Sequence, residues 1–149
     1  MTNSGRGIAR CAIVRTQLWI VTAVLMAIGC ANRSADRQLA DDLDPATSWI
    51  ATLELSCDAW LANRAPASFV HSAIAPARKA LTAAQSAMDR TGAAPRLRQT
   101  AAAEIRVATD AALELDRAVG RHDRAAVVRL RSRLAAAYAA LHEIERKAT

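Results

Sequence analysis

The chain has 149 residues, which suits one domain, and its aromatic content of 3% with abundant alanine favours helices over strands. Its formal charge of +6 counts three arginines, Arg6, Arg10 and Arg15, in the first 29 residues, a segment with no acid. Without that segment 17 basic and 14 acidic side chains remain, a net +3 that does not mark a nucleic-acid binder.

The first element is N-terminal. A basic, acid-free segment precedes the apolar run Leu18–Ile28, LWIVTAVLMAI, which is too short to span a bilayer. A basic flank, a short apolar core and a small residue before the cut describe an export signal. Ala27-Ile28-Gly29-Cys30 then resembles the lipobox of bacterial lipoproteins, with Ala27 at the position where that family most often has leucine. The resemblance implies cleavage after Gly29, a diacylglyceryl group on the Cys30 thiol and usually acylation of the freed amine. Two or three acyl chains anchor a protein stably, whereas one chain holds marginally. Ala31, where an aspartate would favour retention, implies an outer-membrane rather than inner-membrane destination, facing the periplasm.

Residues 30–44 are polar, with Leu39 and Leu43 the bulky apolar exceptions, and read as a tether. The folded domain is expected over residues 45–149, beginning where Asp44 suits an N-cap and Pro45 a first helical position.

Four helical patterns follow. The first, about Pro45 to Ala62, carries Trp49, Leu53, Cys57 and Trp60 at spacings of three and four. The second, Pro66 to Arg90, aligns Val70, Ile74, Ala77, Leu81, Ala84 and Met88, with Pro76 expected to kink or split it. The third, Pro95 to Val119, aligns Leu97, Ala101, Ile105, Ala108, Ala112, Leu115 and Val119. The fourth, after Asp123, aligns Val127, Leu130, Leu134, Tyr138, Leu141 and Ile144. One apolar stripe per helix, with Gly92 and Gly120 as helix stops and short connections, predicts an all-α, antiparallel up-down-up-down four-helix bundle after the signal segment. A first helix beginning at Pro45 would be shorter than a projecting hairpin of the third and fourth.

Chemistry is sparse. Using both mature-chain glycines as helix stops leaves none for a phosphate-cradling loop, and Cys57 has no cysteine or histidine partner at metal or haem spacing, so no cofactor or metal is expected. Cys57 reads as a small core residue or as a thiol that bridges two copies. His142 and Glu145 run in the reverse order of the Glu-x-x-His element of di-iron bundles. With no visible pairing of nucleophile and base, the expected class is non-enzymatic.

Two surfaces stand out. Trp49 and Trp60, eleven residues apart, share a helix face and with Phe69 hold most of the mature chain's aromatic area, as core or as a binding face for an apolar ligand or a partner's helix. Arg121, Arg124, Arg129, Arg131 and Arg133, with Arg117, crowd a short span and could line a solvated face or meet an anionic surface. Without interleaved aromatics they do not suggest nucleic acid. Leu81-Thr82-Ala83-Ala84-Gln85 is similar to the LTxxQ element of the CpxP/Spy periplasmic chaperones, but the second copy and the methionine richness of that family are missing. The leading expectation is a lipid-anchored envelope protein whose bundle binds another envelope protein. The alternative is a periplasmic chaperone-like or apolar-ligand-binding protein using the aromatic face.

Overall fold

The computed structural model describes residues 8–149, with side-chain surroundings from Ala35 onward. The expected cleavage and lipidation positions, Gly29 and Cys30, lie outside the residues whose side chains are described. Four helices follow one another: α1 (Ile8–Leu61), α2 (Ala67–Arg90), α3 (Pro95–Gly120) and α4 (Arg124–Ala148). Consecutive helices pack against each other, α1 closes on α4, and α1 and α3 lie on the diagonal. Cross-helix bonds fix the directions. Arg131 reaches Asp58 near the end of α1, while Glu145 near the end of α4 meets Thr47 further back along α1. The architecture is an up-down-up-down antiparallel bundle, as the stripes predict. Among the described residues no helix is long and apolar enough to cross a membrane.

The start of the bundle differs from expectation. Residues 36–44 are not a free tether: Leu39 and Leu43 are fully buried, and α1 runs through Pro45 without a break. Buried positions Leu39, Leu43, Ala46, Ile50, Leu53, Cys57 and Trp60 alternate spacings of four and three, an unbroken seam across the proline. Interior proline costs about 3 kcal/mol. Burying two leucines on one side of it, at about 1.5–3 kcal/mol each, offsets that cost. The packed part of α1, from Ala35, makes roughly seven turns. That matches the 24, 26 and 25 residues of α2, α3 and α4, so no hairpin projects past a short first helix. Asp36 Oδ1 accepts from the Ala94 amide at 3.2 Å, pinning this end of α1 to the α2–α3 connection.

In α2 every stripe residue is buried, and the helix continues through Pro76 rather than splitting. Pro95 opens α3 in its first turn, and Asp123 caps α4 by accepting from the Ala126 amide at 2.9 Å. Three stripe residues shift outward: Trp49, Leu97 and Tyr138 are partly buried at the edge of the core, while Ile50 and Ala137 sit inside.

The expected role of glycine as a helix stop is also corrected. Gly92 follows the end of α2 and Gly120 is the last residue of α3, and neither has positive φ. The left-handed positions belong instead to Asn63 (φ 55°) and His122 (φ 56°). Both ends close alike: Arg64 N donates to Ala59 O at 2.8 Å, and Asp123 N donates to Ala118 O at 2.9 Å, each reaching back five residues. This is the Schellman pattern, which satisfies carbonyls left over at a helix C-terminus.

Candidate functional site

The α1–α2 and α3–α4 connections meet at one pole. There the Arg124 guanidinium lies over the Trp60 ring, 5.5 Å from its centroid, and donates to the Leu61 carbonyl and to Asn63 Oδ1. His122 tilts against the same indole with 6.3 Å between centroids. A cation over an aromatic face and a donor on the last carbonyls of a helix both stabilise this junction. Trp60, Asn63, Arg64, Pro66, His122 and Arg124 border an open hollow of about 430 Å³.

The expected arginine patch divides. Arg124 turns to Trp60, and Arg131 turns to α1, where its Nη2 donates to Asp58 Oδ2 at 3.0 Å. Neither belongs to the face carrying Arg121, Arg129 and Arg133. Those three, joined by Arg117, surround a hollow of about 400 Å³ between α3 and α4 whose floor includes Leu130. Helical spacing explains the split. Arg124 and Arg131 are two turns apart on the α1 side, whereas Arg129 and Arg133 are one turn apart on the α3 side. That spacing is readable in the sequence, and a count of arginines passes over it.

The aromatic face is not brought together as one groove. Trp60 is 6% exposed and packs in the core, Trp49 is half-buried, and Phe69 is 51% exposed on α2. The hollow beside Trp60 is lined by neither Trp49 nor Phe69.

Cys57 is fully buried and unpaired among the described cysteines. Burial pushes its thiol up to about 12, with Asp58 adding to the effect, so it stays protonated and unreactive near neutrality. Beside it, burial raises the Glu54 carboxyl above its usual range, against the pull of Arg131. Glu54 Oε1 and Arg131 Nε are buried without hydrogen-bond partners.

The histidines are dispersed. His71 Nδ1 pairs with Asp116 at 2.7 Å on the outer edge between α2 and α3. His142 stacks on Tyr138 and approaches Glu145 at 3.3 Å, while His122 is in the α3–α4 connection. Among the described residues no three His, Cys, Asp or Glu side chains gather at metal-binding distance. Leu81 of the LTAAQ segment is a core residue. Thr82 and Gln85 border a shallow hollow of about 260 Å³ shared with Arg106, Thr109 and Asp110 of α3.

No protein-family model, no curated protein and no solved structure matches this chain.

Proposed function

We propose that the chain is a bacterial lipoprotein, exported and held on the envelope by acyl chains on Cys30, whose bundle is a non-enzymatic interaction module for an envelope partner. The observation that carries the reading is the apolar run Leu18–Ile28 leading directly into Gly29-Cys30. Ala31 after the cysteine favours the outer membrane. Residues 31–35 extend at most about 18 Å, so the anchor holds the bundle close to the lipid surface. The pole bearing Asp36 and the α2–α3 connection then lies nearest the membrane. The pole bearing Trp60 and Arg124 is about 40 Å away along the helix axis, free to meet a partner.

Replacing Cys30 tests the anchor. Cys30→Ala is expected to move the protein out of the membrane fraction, and mass spectrometry of the mature N-terminus is expected to show acyl mass on Cys30. An unmodified N-terminus at another residue refutes the reading.

A second reading, a periplasmic chaperone or apolar-ligand carrier, draws on one observation: Phe69, a large apolar side chain, is half out in solvent. If that reading holds, apolar probes bind saturably and Phe69→Ala abolishes their binding.

A further inference from the structure

The hollow between α3 and α4 has a composition that the bundle itself does not require. Arg117, in the last turn of α3, and Arg121, the residue that caps it, are four residues apart, and Arg129 and Arg133 are one turn apart on α4, all lining the same concavity. Like charges at this spacing destabilise a helix by a few tenths of a kcal/mol per pair. Here one such pair, Arg129 and Arg133, faces two further arginines at the end of α3 across one hollow.

Two carboxylates line it as well, and both are engaged. Glu114 Oε2 accepts from Arg133 Nη1 at 3.1 Å, and Asp123 Oδ1 accepts from the Ala126 amide as the cap of α4. Arg117, Arg121 and Arg129 form no ion pair among the described residues. Four guanidinium groups against two carboxylates leave the hollow at a formal +2. Leu130, Ala118 and Ala126 supply apolar floor, which limits water beneath the charges and strengthens their attraction for an anion.

We propose that this concavity is a binding site for a phosphate-bearing group of lipid-headgroup size. A phosphate monoester carries close to two negative charges near neutrality and so matches the +2 of the hollow, while a single carboxylate leaves half of it uncompensated. Its terminal oxygens accept from several planar guanidinium forks at once, a geometry that arginine provides and lysine does not. A volume of about 400 Å³ is at the lower end of small-ligand sites and holds a headgroup rather than a lone oxygen atom. The group can come from an anionic lipid or from a soluble phosphate compound. The site is built from α3, α4 and the connection between them, so it stands whether or not Cys30 is acylated.

Isothermal titration calorimetry of the full chain in a neutral detergent tests the site, with sodium pyrophosphate and dihexanoylphosphatidic acid as probes and dihexanoylphosphatidylcholine as control. Saturable 1:1 binding of one or both anionic probes is expected. Tighter binding of the phosphatidic acid identifies the source as lipid, and equal or tighter binding of pyrophosphate identifies a soluble compound. The double variant Arg117→Gln/Arg129→Gln removes two exposed guanidinium groups that make no ion pair, and it should bind at least about tenfold more weakly. Arg78→Gln/Arg96→Gln removes the same net charge elsewhere and should bind as the parent does. Absence of saturable binding by either probe, or equal losses in the two double variants, overturns the proposal.

Discussion

Leu43→Ala separates a bundle that begins near residue 36 from one that begins at Pro45. Leu43 is fully buried, between Leu39 one turn before and Ala46 one turn after on the same seam. The substitution removes three carbons, worth about 2.4 kcal/mol at about 0.8 kcal/mol per methylene, and a cavity term adds to this. The expected loss is therefore about 3 kcal/mol, inside the roughly 2–5 kcal/mol span of buried leucine truncations. At a denaturant slope of about 1–3 kcal/mol per molar, that lowers the urea midpoint by about 1–3 M. Leu55→Ala is the matched control. Leu55 is also on α1 but 70% exposed, and its truncation should stay within about 0.5 kcal/mol. Urea unfolding followed by helical circular dichroism reads both variants. If Leu43→Ala costs no more than Leu55→Ala, residues 36–44 are a tether and the seam through Pro45 is wrong.

The remaining predictions concern single side chains. Gly120→Ala should raise stability by about 0.5–1 kcal/mol in the same unfolding assay, because Gly120 has no positive φ and an added Cβ meets nothing within 4 Å; a loss would mean that α3 needs the freedom of glycine there. Cys57 should resist iodoacetamide near pH 8 until the bundle unfolds, since its thiol is fully buried and pushed up to about 12; labelling at the rate of an unfolded peptide under native conditions refutes this. Glu143, held by Arg146 and Lys147, has its carboxyl lowered to about 2. Its folded value lies below the unfolded one, so its contribution is present above about pH 4.5 and is lost as pH falls toward 2. A carboxyl-carbon NMR titration should show this low midpoint, moving upward with added salt because the group is exposed; a midpoint near 4.5 at low salt refutes it.

Much of the fold is written in local periodicity. Spacings of three and four bury every stripe residue of α2, and Asp123 caps α4 as its type and position indicate. The proline rule misleads at Pro45. Its local signal is a helix start, while the Leu39–Leu43 turn before it continues the seam, and the gain from burial decides only once α2 and α4 are packed beside α1. The glycine rule misleads for a similar reason. Asn63 and His122 adopt the left-handed positions because Trp60 and Arg124 hold the junction in place, so Gly120 is left as an ordinary helical residue.

The candidate sites follow the same division. Residue order alone carries the apolar run Leu18–Ile28, Gly29-Cys30 and the number of arginines in the second half of the chain, because covalent sequence and composition are all that these features need. Only the tertiary structure assigns Arg124 to an indole, Arg131 to a carboxylate on α1, and Arg117, Arg121, Arg129 and Arg133 to one hollow. Periodicity places a side chain on a face of its own helix. What that face meets depends on which helices pack beside it, and that is settled by the burial of all four stripes together.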